Sequence, residues 1–265
     1  MFSNVNISQK LLVLLTFLIS ISFMSCSDDT MTNPDPNPDP DPPFTFNSEA
    51  NPGSSAEAFL TSDDFEELVV EIQYMEGYRP TDEAVDQLKT FLEERLNKDS
   101  ITMMDPAVIP AGGQNAYSAD QIRALEEEHR TVYPEEGILS AYFIFVDGEW
   151  DVSDNVLGIA YYNTSMALFG AKIEDASDGL FQHGRDKIET TVMQHEFGHI
   201  LGLVNNGVDM QENHQDEENG KHCDESTCLM YYSVRTTDFF ANVFEGTVPE
   251  LDEACIADLR AAGGR

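Results

Sequence analysis

The chain has 265 residues, with 14 Lys and Arg against 49 Asp and Glu, for a formal net charge of −35. A field of that sign repels nucleic acid and anionic membrane surfaces and favours cations, so nucleic acid is excluded as a partner. Residues 1–43 lack the composition of a globular segment, and the roughly 220 that follow are enough for one catalytic domain with its own core, expected over 48–265 as a monomer.

At the start, Lys10 precedes an apolar run, LLVLLTFLISISFM, that is short for a membrane span and stops at Ser25-Cys26. This is the form of an export signal over residues 1–25. Phe23-Met24-Ser25-Cys26 resembles the bacterial lipobox, in which cleavage leaves a Cys that becomes a lipidated N-terminus. The acidic Ser27-Asp28-Asp29 that follows resembles export tags of Bacteroidetes-type surface lipoproteins. Together they imply an exported outer-membrane or cell-surface lipoprotein, touching the membrane only through lipid on Cys26; a plain secretory signal is the alternative. The segment NPDPNPDPDPP at 33–43 alternates proline with acid or amide and has nothing apolar to bury, so residues 26–47 read as an extended acidic tether.

The folded part opens with an apolar-rich strand over 65–75, FEELVVEIQYM, followed by a helix over 82–96 with Thr81 as N-cap and Val85, Leu88, Leu92 and Leu96 at helical spacing. A strand interrupted by Pro106 is expected over 101–109, a loop at Gly112-Gly113, and a second helix over 118–130. The continuous apolar run ILSAYFIFV at 138–146 has the character of a central strand, and 156–162 and 164–169 read as two more. A third helix starts near Asp186, and LDEACIADLRAA near the end is helix-like. Alternating strands and helices of this kind point to an α/β or α+β domain.

The acids Asp147, Glu149, Asp151 and Asp154 offer a possible Ca2+ loop, although Val152 stands where an EF-hand loop needs Gly. His129 is expected on a helix surface and His183 in a loop. The informative histidines are His195 and His199 in TTVMQHEFGHILGL, an H-E-x-x-H on a helix. At i, i+4 both imidazoles project from one face and hold one Zn2+ between them. Glu196 sits beside that face, placed to take a proton from a water that the metal activates.

With Gly202 added, the string resembles the metzincin zinc peptidases, H-E-x-x-H-x-x-G-x-x-H, in which the Gly allows the turn that brings a third His to the metal. Asn205 stands at the last position, so the third ligand must lie further on. His222 opens the string HCDESTCLM, which resembles the archaemetzincin signature of a third His followed by C-x-x-x-x-C-x-M, with 203–221 as an insertion. His222 is the expected ligand; His214, Asp209 and Asp216 are the alternatives. The resemblance also makes Met230 and Tyr232 a Met-turn, with Tyr232 as a hydrogen-bond donor to the site.

In archaemetzincins the cysteine pair joins a later C-x-x-C around a structural zinc, and that partner motif is absent here. A Cys223–Cys228 disulfide with Cys255 buried and free is therefore expected, pairing through Cys255 being the alternative. The resemblance implies a metzincin-like zincin fold: a twisted mixed sheet, an active-site helix and a small C-terminal subdomain carrying the Met-turn. It also implies one catalytic Zn2+, a peptide or protein substrate lying along the sheet edge at 156–169, and Glu196 as general base. The competing class is a surface binding or adhesion lipoprotein with a structural or vestigial metal site; a zinc hydrolase of non-peptide substrates is a third.

Overall fold

A computed structural model describes residues 44–177, 184–242 and 246–265. The expected export signal over 1–25, Cys26, the proline-rich stretch 33–43 and His183 lie outside the described residues. A short helix α1 (Ala56–Leu60) leads into strand β1 (Phe65–Met75) and helix α2 (Asp82–Arg95), capped by the Thr81 hydroxyl, which accepts from the Ala84 N–H at 3.3 Å. Strands β2 (Ser100–Met103), β3 (Ala107–Ile109) and β4 (Ala116–Tyr117) follow, then helix α3 (Ala119–His129), started by a capping box between Ser118 and Gln121. Next come β5 (Gly137–Val146), β6 (Glu149–Trp150), β7 (Gly158–Tyr162), β8 (Ser165–Phe169), helix α4 (Gly170–Ser177) and the long helix α5 (Arg185–Ile200). Beyond α5 the described helical elements are a 3-10 turn (Tyr232–Arg235), α6 (Thr237–Asn242) and α7 (Glu253–Ala261).

The result is a mixed α/β domain on a mostly parallel sheet of order β2-β1-β5-β8-β7, in which only β7 runs antiparallel to its neighbour. β5 is buried on both faces, as its unbroken apolar run requires. Leu139, Ala141, Phe143 and Phe145 point into one core with α2 and α5, while Tyr142, Ile144 and Val146 point into another with Ile122 of α3. No described helix is long and apolar enough to cross a membrane.

Three local differences from the sequence expectation have physical causes. Pro106 has no N–H to give the ladder, so the run 101–109 splits into β2 and β3, which pair in succession with β1. Helices α1 and α4 are too short, and in α4 too poor in large apolar residues, to show a period. Residues 44–47, assigned to the tether by composition, belong to the domain: Phe44 and Phe46 both pack edge-on against Phe65, at 6.0 and 5.5 Å between centroids.

One buried polar group ties the second core together. Arg130, with its side chain 0% exposed, meets Glu126 at 2.7 Å and the Ser140 hydroxyl at 2.7 Å. Glu126→Ala strands that guanidinium without a counter-charge and is expected to lower stability by about 3–5 kcal/mol in urea unfolding. An unchanged midpoint would contradict this assignment.

Candidate metal centre

Helix α5 is buried throughout residues 188–200, so its position is set on every side. Near its start, Glu189 accepts the Thr81 N–H at 2.7 Å, the Thr81 hydroxyl at 2.8 Å and Arg185 Nε at 2.8 Å, tying α5 to the cap of α2. At its end, Gly202 adopts φ +76°, and a Cβ there would lie 2.8 Å from Ala56 Cβ and 3.0 Å from Val208 N. Only glycine makes this exit from the helix without strain.

The chain after Gly202 does not reach the metal position at Asn205, whose amide instead donates to Gln215 at 3.3 Å. It runs on through 203–221 and folds into an Asx turn, in which Asp216 Oδ1 accepts the N–H groups of Glu218 and Asn219. The turn presents His222: the Asn219 carbonyl meets His222 Nδ1 at 2.7 Å.

His195, His199 and His222 converge, each offering a ring nitrogen within 4.8 Å of the others. Their ring centroids lie 4.9 to 5.3 Å apart. His195 Nδ1 meets the Leu229 carbonyl at 2.7 Å, as His222 Nδ1 meets that of Asn219. A carbonyl only accepts, so each Nδ1 carries the proton and each Nε2 keeps its lone pair. Both Nε2 atoms are buried and have no hydrogen-bond partner among the described residues. Burial lowers the pKa of all three, His222 to about 4, so all are neutral at pH 7. Neutral, inward-facing imidazoles are the donor set a zinc ion takes.

Glu196 is 1% exposed, and its Oε1 has no hydrogen-bond partner among the described residues. Burial raises its pKa to about 7, opposed by the Arg235 charge and a hydrogen bond with the Ala160 backbone. With His199 it faces a cleft of about 620 Å3, also lined by Ile159, Ala160 and Tyr161 of β7. Met230 lies beneath the helix: a Cβ on Gly198 would come 2.3 Å from its sulfur. Tyr232, expected to point at the site, is 37% exposed, stands against Tyr231 and does not line the cleft.

His214 lies elsewhere, in a cluster with Cys223, Asp252 and Cys255 whose ligand atoms all lie within 4.8 Å of one another, and Cys228 stands beside Cys255. All three thiols are free, so the expected Cys223–Cys228 disulfide is not formed. Cys228 and Cys255 sulfurs are 3.7 Å apart, and His214 Nδ1 lies 3.4 Å from the Cys223 sulfur and 3.9 Å from that of Cys255. Tetrahedral zinc with thiolate and imidazole ligands spaces its donors by about 3.5–3.8 Å, given Zn–S of about 2.3 Å. His214 Nε2 is held by Asp258 at 2.8 Å, the orientation that turns Nδ1 towards the thiols. Hydrogen bonds from Cys223 and Cys255 hold the Cys228 thiol well below its usual range, to about 4. The other alternative ligands, Asp209 and Asp216, join neither cluster.

The acids proposed for calcium do not converge. Asp147 accepts from Gly113 N at 2.8 Å and from the Tyr117 hydroxyl, while Glu149 pairs with Lys172 at 3.6 Å. His129 ends α3 half-buried, its carbonyl accepting from Gln73.

No family model and no curated protein matches the sequence. Among solved structures, the chain is similar to archaemetzincin from Methanopyrus kandleri, at 15% identity and a TM-score of 0.45, covering 75% of this chain and 95% of that one. It is also similar to a zinc-dependent peptidase from Methanocorpusculum labreanum, at 15% identity and 0.43, covering 72% and 99%. Sequence reasoning did not find Arg235, which lines the cleft, or the convergence of His214 with Cys255. No motif joins those positions, because loops alone bring them together.

Proposed function

We propose that this protein is a zinc-dependent endopeptidase, exported and held at a bacterial surface by lipid on Cys26. The observation that carries the activity is the set of neutral imidazoles of His195, His199 and His222 facing one point beside an unpaired Glu196 carboxylate in an open cleft. His195, His199 and His222 would hold a zinc ion there, which would supply Lewis-acid chemistry to a scissile carbonyl and to water. Glu196 takes the proton from the attacking water and passes it to the leaving amine, a role suited to a carboxyl raised to about 7. Met230 supports the helix from below through packing on Gly198. The substrate strand adds beside β7, whose residues Ile159, Ala160 and Tyr161 line the cleft.

His214, Cys223 and Cys255 form, on this proposal, the core of a second zinc site, with Cys228 at 3.7 Å from the Cys255 sulfur and Asp252 at 3.2 Å from that of Cys223 as the candidates for its fourth ligand. It ties the insertion to α7, which carries Cys255. The test of the activity is hydrolysis of casein with and without a chelator. Loss with chelator and recovery with added zinc is expected; hydrolysis indifferent to the chelator would refute the zinc mechanism, and no hydrolysis by zinc-loaded protein would favour a binding lipoprotein.

A further inference from the structure

The chain carries 49 acidic residues against 14 basic ones, yet its cleft has the opposite sign. Arg123, Lys221 and Arg235 line it, and Glu196 is the only acid among its described lining residues. None of the three cations forms an ion pair with a buried carboxylate among the described residues. Arg123 pairs at 3.1 Å with Asp120, whose side chain is 91% exposed, and such a pair contributes little. Lys221 donates to the Asn205 carbonyl. Arg235 donates from Nη1 to the Gly158 carbonyl at 3.1 Å, its Nε is buried without a partner, and it forms no ion pair among the described residues.

Arg235 is also firmly placed. It ends the 3-10 turn that follows Met230, and its carbonyl accepts the Leu157 N–H at 2.9 Å, just before β7. The Gly158 carbonyl that holds its guanidinium belongs to a residue packed on Glu196, where an added Cβ would lie 3.1 Å from Glu196 Cγ. The positive charge therefore stands next to the general base, at the end of the strand beside which a substrate would lie.

Resting on the peptidase function proposed above, we propose that the cleft selects peptides bearing a carboxylate close to the scissile bond, with Arg235 as the residue that determines this specificity. Arg123 and Lys221 add positive charge further along the cleft. A guanidinium fixed on a backbone carbonyl still has donors to offer a carboxylate in a forked geometry, and the partly desolvated setting strengthens that contact. The carboxylate comes from an Asp or Glu side chain or from a free C-terminus, which share this chemistry.

Trp150 lines the same cleft and is the only tryptophan in the chain, so its fluorescence reads binding without any turnover. Three peptides of one sequence serve as probes: one with Gln and a C-terminal amide, one with Glu and the amide, and one with Gln and a free C-terminus. They are titrated into zinc-loaded Glu196→Gln protein, and their hydrolysis by the unaltered protein is followed in parallel. At least one acidic probe is expected to bind about tenfold or more tightly than the neutral one at low salt, with the gap shrinking as ionic strength rises. The acidic probe that gains identifies the source of the carboxylate.

In Arg235→Gln the preference should vanish while affinity for the neutral probe is kept; in Lys221→Gln, altered on an exposed loop, it should fall by a smaller factor. Equal binding of all three probes, no binding of any, or a preference untouched by both substitutions overturns the proposal. Hydrolysis without acidic preference defeats the specificity and leaves the peptidase; acidic preference without hydrolysis defeats the peptidase and leaves the specificity.

Discussion

Glu196→Gln is expected to leave the metal in place and lower peptide hydrolysis by roughly 10² to 10⁴, the usual cost of a lost general base. The substitution suits the site because it changes charge with almost no change in shape. Glu196 is 1% exposed, and Gly158 packs so closely on its side chain that a larger residue would disturb β7 as well. Oε1 has no hydrogen bond to lose, so a neutral amide removes the proton acceptor and little else. A buried carboxylate is also costly to keep ionised, which is why its pKa rises to about 7, and the amide is free of that cost. Stability should therefore hold or rise slightly. Zinc analysis and kcat on the same preparation check both halves, and hydrolysis at the level of the unaltered protein would refute Glu196 as the base.

The second large effect separates His222, the expected third ligand, from its alternative His214. His222→Ala is expected to remove the metal held with His195 and His199, abolish hydrolysis and spare the thiol cluster. His214→Ala is expected to empty the thiol cluster and to destabilise the C-terminal part strongly, because a structural zinc that binds only the folded chain contributes its binding free energy to folding. Cobalt substitution tells the sites apart, since a thiolate ligand gives a near-ultraviolet charge-transfer band that imidazole does not. The band should persist in His222→Ala and disappear in His214→Ala. Loss of the band in His222→Ala, or of the histidine-held metal alone in His214→Ala, would reverse the assignment.

Both outcomes turn on the segment 203–221, which carries His214 into one cluster and, through the Asp216 to Asn219 turn, presents His222 to the other. The separation of the two histidines is geometric. His214 is oriented by Asp258 towards sulfur, whereas His222 is oriented by the Asn219 carbonyl towards His195 and His199.

Sequence alone was enough for whatever depends on local periodicity or on fixed spacing along one helix. The strand Phe65–Met75, the cap at Thr81 and the central strand of 138–146 follow from apolar pattern and capping chemistry. His195 and His199 share a face because α5 repeats every 3.6 residues, and Gly202 ends that helix because its φ of +76° strains any side chain. Tertiary structure alone decided whatever is assembled across loops. Cys255 of α7 reaches Cys228 and His214, Arg235 reaches the cleft, and the free thiols replace an expected disulfide. Loop paths are set by packing against distant elements and carry no repeat, so residues far apart in the chain meet without a spacing that announces it.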